Sequence, residues 1–548
     1  MNWNTHEITN VVAALTDYNV YSTDVALREA VHRCGGQAFD AELAGYGALL
    51  GSASTLRMAD AANRFAPALR AYDRVGRRVD EVEFHPAWHS IMKIMREQGL
   101  VAMPFSDLRP GSWAAYAAGF SMHGQMEAGS LCPASMTFAC IPVLQKEPEL
   151  FATLAPGLYS RQYDERDLPI EQKSSLLIGM GMTEKQGGSD VRANSTRATA
   201  VGGGGRGGEY LLVGHKWFFS APTSDAHLIV ARTEGGLSCF YVPRYRPDGS
   251  KNAVRIQRLK EKVGNRSNAS SEVEFEDAWG LMVGDEGRGI PTIIEMATLT
   301  RLNCVMGSTG LIRQAVVQAI NYANQRMAFG KHLSEQPLMR NVLADMALES
   351  EAATQLMMRL TDAFARGDGS LLARAYQRIV TPAAKFWIAK RGIELAAEAL
   401  EVFGGNGYVE DGPMARLYRE MPVISIWEGS GNIMALDMLR AIAREPDALL
   451  ALVDDLAAKL VDDARLRPHV AALLNISRTP ADELEGSARH HAQRLILLVQ
   501  AALLREHSPA AVADAFIASR FDSHCGRVYG TLPDHAQHAS IVRRAWQQ

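Results

Sequence analysis

Cysteine is scarce. Six thiols stand in 548 residues, at Cys34, Cys132, Cys140, Cys239, Cys304 and Cys525. None forms a C-x-x-C pair, so neither a structural zinc site nor a disulfide framework is expected, and no metal is assigned. Scattered thiols suit a reducing, cytoplasmic setting. No apolar run approaches the ~18 residues that read as a membrane span. The chain opens Met1-Asn2-Trp3-Asn4-Thr5-His6-Glu7, without a basic segment leading into an apolar core, so no secretory signal is expected. A basic field is lacking too: 57 Lys and Arg face 61 Asp and Glu, a net charge of -4, which gives nucleic acid no global attraction. No strand–G-x-G-x-x-G–helix unit is present, which argues against a Rossmann dinucleotide site. The glycine run 202–208 has no following Lys-Ser/Thr, so it reads as a hairpin tip rather than a phosphate loop.

What is present is an ordinary mixture, 47% apolar and 22% charged, in a chain long enough for several domains and a large core. Residues 1–180 read mainly as helix and loop. From about 181 short β-rich runs appear at 210–213, 227–230, 239–242 and 272–275, separated by turn signals, as in a barrel or small sandwich. Helical periodicity returns near 286, where Ile293, Ile294, Met296, Leu299, Leu302 and Val305 form a stripe. Further helices are expected over 334–365, 370–402 and 431–444. The remainder, 445–548, is helical and rich in Ala, Leu and Arg, with breaks at Pro468, Pro480, Pro509 and Pro533. The expected class is therefore α+β, in four parts: helical 1–180, barrel 181–285, helical bundle 286–444 and a helical extension 445–548.

Five segments carry chemistry. Met182-Thr183-Glu184-Lys185-Gln186-Gly187-Gly188-Ser189-Asp190-Val191 combines hydroxyls with glycines that let backbone N–H groups approach an anion. Alone it reads as a polar turn. Gly214-His215-Lys216-Trp217-Phe218-Phe219-Ser220 ends three aromatics on a hydroxyl, which suits a flat ring laid on a strand or simply an aromatic core. In Tyr322-x-x-x-Arg326-x-x-Phe329-Gly330, followed by Gln336, Arg326 offers a donor fork for pyrophosphate, or a surface ion pair. Phe403-Gly404-Gly405-Asn406-Gly407-Tyr408 is a helix-ending loop able to pack against phosphate. In Ile426-Trp427-Glu428-Gly429-Ser430-Gly431-Asn432-Ile433, a carboxylate among apolar neighbours is a candidate base, or a residue favoured by a helix start.

In this order and spacing the five segments, with Gly264-Asn265-Arg266 and 283–289, resemble the acyl-CoA dehydrogenase superfamily. Thr183–Asp190, Gly214–Ser220, the run Gly264-Asn265-Arg266-Ser267-Asn268-Ala269-Ser270, Ser425–Met434 and the C-terminal extension resemble its AidB-type alkylation-response branch in particular. The resemblance implies FAD as cofactor, with Met182–Val191, Phe218 and Ser220 at the flavin. It implies that Arg326, Phe329, Gln336, Gly404 and Gly405 reach the FAD of a neighbouring subunit in a homo-oligomer, a tetramer by family habit, while Ile426, Trp427 and Gly429–Ile433 (Gly429, Ser430, Gly431, Asn432, Ile433) close the site. Glu428 falls at the family's catalytic base and Arg301 at its substrate-side arginine. Thr298 stands where many members carry Asp, and Glu401 where Gln often precedes the glycine loop. These departures imply weak or vestigial acyl-CoA dehydrogenase activity, the alternative being a metabolic short- or branched-chain acyl-CoA dehydrogenase. The branch is also linked to double-stranded DNA and the response to alkylation. Residues 441–548 hold 12 basic and 13 acidic residues and seven histidines, so any DNA contact must be local. Arg440, Arg444, Arg543 and Arg544 are the candidates.

Overall fold

A computed structural model of the chain describes residues 5–367, 369–476, 478–522, 526, 528–533 and 536–547. Cys525 and the first four residues lie outside that set. The other five cysteines are free thiols. Among the described residues no helix is long and apolar enough to cross a membrane, and no cluster of His, Cys, Asp and Glu could hold a metal ion. The chain divides into two compact units. One comprises 54–303 with 428–430, the other 1–53, 304–427 and 431–548.

The first unit is built on a barrel. Strands β3 (Ile178–Gly181), β4 (Arg197–Ala200), β5 (Glu209–Ser220), β6 (Ala226–Thr233), β7 (Gly236–Pro243), β8 (Val254–Leu259) and β9 (Ser270–Val283) form one sheet. Its pairings close on themselves in the order β6-β4-β5-β9-β7-β6, with β3 added beside β6 and β8 beside β9. The seam between β4 and β6 is a single pair, Arg197↔Arg232. All four β-rich runs read from the sequence lie in these strands, and the glycine run 202–208 lies between β4 and β5. Tyr210, Leu212, Phe219, Ile229, Phe240, Val273 and Phe275 fill the interior, as alternation along half-buried strands demands. The helical reading of 1–180 missed one hairpin, β1 (Ala68–Tyr72) with β2 (Arg78–Glu83). It is charged and outward-facing, and packs Leu69 and Val82 against the barrel core. A strand of such composition carries no β signal of its own. Helices Ser112–Met126 and Leu131–Leu144 are apolar all round and almost wholly buried, which marks the centre of a helical layer.

The second unit is helical. Helices Pro337–Arg366, Thr381–Val402, Pro413–Ile426 and Gly431–Arg444 form its bundle. The helix expected over 370–402 is broken into Leu371–Ala375, a π turn at Tyr376–Val380, and Thr381–Val402. The C-terminal extension is pinned by a buried ion cluster. Arg520 Nη2 lies 2.7 Å from both Asp345 Oδ1 and Glu349 Oε1, and Arg391 Nη2 lies 3.2 Å from Glu349 Oε1. The cluster joins helices Ala510–Phe521, Pro337–Arg366 and Thr381–Val402. The long helix Gly289–Gln325 supplies residues to both units.

Candidate functional site

The barrel unit gathers several of the sequence-singled residues at one end of β5. Phe219 points inward and stacks on His227 at 3.9 Å between ring centres. A Cβ on Gly179 of β3 would lie 2.2 Å from that imidazole, so glycine is what lets the ring fit. His227 donates Nε2–H to the Ser220 carbonyl at 3.2 Å. Burial pushes its imidazole down to about 3, so it stays a neutral donor. With Phe219 fixed inside, its neighbours face out: Phe218 is 55% exposed and Ser220 half-buried. Lys260 Nζ lies over the Phe218 ring at 4.4 Å and the Trp217 ring at 4.1 Å, a cation–π arrangement.

The 182–191 turn is held by a charge with no exposure. Glu184 accepts from Lys216 Nζ at 2.8 Å, Ser195 N–H at 2.7 Å and the Thr196 hydroxyl at 2.6 Å. Burial raises its pKa, but the Lys216 ammonium and these donors overcome that and hold it well below the carboxylate range. Trp217 N–H donates to Thr183 O at 2.8 Å, tying the turn to β5. Gly188 packs on Thr183, where a Cβ would come within 2.4 Å of Oγ1. The N–H groups of Gly188, Ser189 and Asp190 donate to no other group among the described residues. Glu184 thus builds the turn, and the glycine end presents free donors. Such a cradle, beside a half-exposed aromatic and a hydroxyl, fits a flat ring carrying phosphates.

Glu428 is set between helix Pro413–Ile426 and helix Gly431–Arg444 in left-handed backbone, at φ 57°. A non-glycine residue there costs about 1–3 kcal/mol and persists where its surroundings impose it. Arg301, 8% exposed, donates Nε–H to the Glu428 carbonyl at 3.2 Å. Arg301 therefore holds the backbone that aims the carboxylate. Glu428–Ser430 group with the barrel unit, although both flanking helices belong to the other. Burial raises the Cys132 thiol to about 12, opposed by contacts with Asn268 and Ser220, and the Glu428 charge adds to the rise.

Ser267, next to Asn268, is held by a second buried carboxylate. Glu127, with no exposure, accepts from the Ser267 hydroxyl at 2.6 Å, Ser130 N–H and hydroxyl at 2.7 Å each, and Asn63 Nδ2 at 3.0 Å. Ser267 and Asn268 belong to a quoted motif, whereas nothing in the sequence marks Glu127 or sets Cys132 apart from the other thiols. Glu127 lies 140 positions from Ser267, and no local signal joins them.

The remaining candidates lie in the helical unit. Arg326, Met327 and Asn10 interlock, with Asn10 Nδ2 donating to Met327 O at 2.8 Å. Gln336 Nε2 donates to Ala328 O at 3.2 Å, bracing the same hairpin. Its tip is Phe329, 98% exposed at φ 52°. Gly404, at φ 60°, and Gly405 are exposed, as are Ile426 and Asn432. Trp427 and Ile433 are half-buried and Gly431 is buried. Arg440, Arg444 and Arg543 are exposed. Arg544 is clasped by Glu29 Oε2 and by Glu351 Oε2, the latter at 2.9 Å.

Comparison with known proteins accords with this architecture. Residues 10–165 match the "Adaptive response protein AidB N-terminal domain", 179–278 the "Acyl-CoA dehydrogenase, middle domain" and 287–443 the "Acyl-CoA dehydrogenase, C-terminal domain". The chain is 47% identical over 529 residues, 96% of each chain, to "Putative acyl-CoA dehydrogenase AidB" of Escherichia coli (strain K12). The chain belongs to the AidB branch of the acyl-CoA dehydrogenase family. The fold of Caenorhabditis elegans ACDH-11, solved in complex with C11-CoA, superposes with a TM-score of 0.84 at 24% identity, over 100% of this chain and 94% of that one. An acyl-CoA dehydrogenase from Bacillus anthracis, complexed with FAD, gives 0.64 at 19% identity, over 79% and 77%. Within this family FAD is the usual cofactor.

Proposed function

We propose that this AidB-family chain binds FAD, retains a weak acyl-CoA dehydrogenase reaction, and binds duplex DNA without sequence reading as part of the response to alkylation damage. The observation that carries the catalytic half is the placement of Glu428, in constrained backbone whose carbonyl accepts from Arg301. The loop Met182–Val191, with Phe218 and Ser220, would hold the isoalloxazine and nearby phosphate. By the family resemblance, Arg326, Phe329, Gln336, Gly404 and Gly405 serve a neighbouring subunit in a homotetramer, and Ile426–Ile433 close the mouth. FAD, when bound, supplies the acceptor for a hydride leaving the substrate β-carbon. Glu428 takes the α-proton of an acyl thioester. Arg301 keeps that carboxylate in place, and positioning of this kind supplies much of the rate. Anaerobic mixing with short straight and branched acyl-CoAs should bleach the flavin band. Glu428→Gln should abolish bleaching and leave FAD bound. A yellow protein that no thioester bleaches would remove the dehydrogenase from this reading.

The DNA half rests on membership of the AidB branch and on Arg440, Arg444 and Arg543, which are exposed. Arg544 is a weaker candidate because Glu29 and Glu351 already engage it. Contacts to phosphate alone predict affinity that falls steeply with salt and ignores sequence. A protein indifferent to duplex DNA at low salt would end this half and leave the alternative, a metabolic short- or branched-chain acyl-CoA dehydrogenase, which Glu428 and Arg301 equally support. We assign the protein to the cytoplasm on the same footing.

A further inference from the structure

The N-terminal arm meets the hairpin of Met327–Ala328 and Lys331–His332 through one residue outside every motif described above, Asn10. The hairpin has two residues in each strand, and so short a ribbon is marginal by itself. Its tip, Phe329-Gly330, is left-handed at both positions, at φ 52° and 78°, as a two-residue turn of this kind requires. Asparagine, aspartate or glycine suits the first of those positions, and a bulky aromatic strains it. Phe329 is also 98% exposed. The chain therefore holds a strained ring out in water, and such a conformation persists only where its surroundings impose it.

Asn10 supplies that constraint. Strand pairing sets Met327 opposite His332, but the His332 N–H donates to Glu335 Oε2 at 2.8 Å. Both backbone groups of Met327 turn instead to the arm. Asn10 Oδ1 accepts from Met327 N–H at 2.8 Å, and Asn10 Nδ2 donates to Met327 O at 2.8 Å. One side-chain amide thus stands in for a rung of a third strand. It meets a donor and an acceptor at once, which a carboxylate cannot do. Asn10 itself is left-handed, at φ 56°, a backbone that asparagine tolerates better than most residues. Its carbonyl accepts from Arg326 Nη1. Glycine here would keep the backbone and lose the amide. Residues 5–11 are exposed throughout, so the contact braces the hairpin and adds little to a core.

We propose that Asn10 is a positioning residue for the cofactor: it fixes the base of the hairpin so that Arg326 and Phe329 meet the FAD of the neighbouring subunit. This rests on the assignment of those two residues to that cofactor under the proposed function. Asn10 acts through Arg326. A guanidinium already set in direction loses less freedom when it meets a phosphate. The amide therefore shows itself in cofactor affinity and not in the stability of the chain.

The test uses full-length protein loaded with FAD, the variants Asn10→Gly and Arg326→Gln, and their combination. Release of FAD on dilution is followed by the rise in flavin fluorescence and gives a dissociation constant. Asn10→Gly should hold FAD about two- to tenfold more weakly, the range of a typical hydrogen bond. The melting temperature of its flavin-free form should match wild type. Arg326→Gln should also weaken FAD binding, and adding Asn10→Gly to it should cost nothing more, a coupling that a merely structural arm would not produce. Normal affinity in Asn10→Gly beside weakened affinity in Arg326→Gln overturns the positioning role and leaves the cofactor assignment standing. A fully additive loss in the combination does the same. An Arg326→Gln variant that holds FAD as wild type does removes the assignment and the positioning role together. Should Asn10→Gly yield no folded protein, Asn10→Asp, which keeps the acceptor for the Met327 N–H, reads the same two quantities.

Discussion

Glu184 shows how a residue can be legible in a motif while its internal partner is not. The turn 182–191 stands out in the sequence, and every position in it looks like a ligand contact. The structure gives Glu184 a different task, because its carboxylate has no exposure and closes on Lys216. Both partners lie in quoted motifs, yet nothing local couples positions 32 apart. Pairing of side chains across a barrel wall is set by register, which composition does not encode. Breaking a buried pair strands a charge and costs about 3–5 kcal/mol. Glu184→Gln should therefore lower the melting temperature strongly and reduce FAD retention together. Full stability with FAD lost would instead make Glu184 a direct ligand contact. Gly188→Ala tests the other end of the turn. Its new Cβ meets Thr183 Oγ1, so FAD retention should fall with little loss of unliganded stability, read by the flavin content of purified protein.

Whole elements were more legible than residues. The strands of the barrel announce themselves by β-branched and aromatic runs between turns, and the helical stripe at 293–305 sets the start of the long helix Gly289–Gln325. The hairpin at 68–83 was silent because its strands are polar and it lends the core only Leu69 and Val82. The C-terminal extension reads as generic helix, and its attachment was invisible, since Arg520 meets Asp345 and Glu349 from more than 170 positions away. That anchor makes an element-scale prediction. Arg520→Leu leaves Glu349 with Arg391 and Asp345 with the Gly530 N–H in place of a cation, and should destabilise by about 3–5 kcal/mol, with the extension's amides exchanging first. Uniform exchange across helices Pro337–Arg366 and Ala510–Phe521 would contradict the anchoring role.

At the scale of the molecule the near-balanced charge says little, and buried imidazoles govern the acid response. Burial holds His123 down to about 4, with the Glu127 charge opposing, and His227 down to about 3. An unfolded histidine titrates near about 6.5, so the unfolded chain binds these protons more readily. Their contribution is complete above about pH 6.5 and is lost as pH falls toward about 4 and then about 3, at roughly 1.4 kcal/mol per unit of separation. Melting temperature should stay level from about pH 8 to about 6.5 and decline below it. A maximum at about pH 5 would contradict this account.

The single pair between β4 and β6 has a consequence of its own. A cylinder joined along four edges of three or more residue pairs and one edge of a single pair has a built-in place to part. Amides near Arg197 and Arg232 should surrender their protons to heavy water well before those of β5 and β9, which share a long ladder. Thermal motion in this half of the molecule then has a direction: it opens beside the Thr196 anchor of the 182–191 turn, and whatever the turn holds will slow that opening when it is in place.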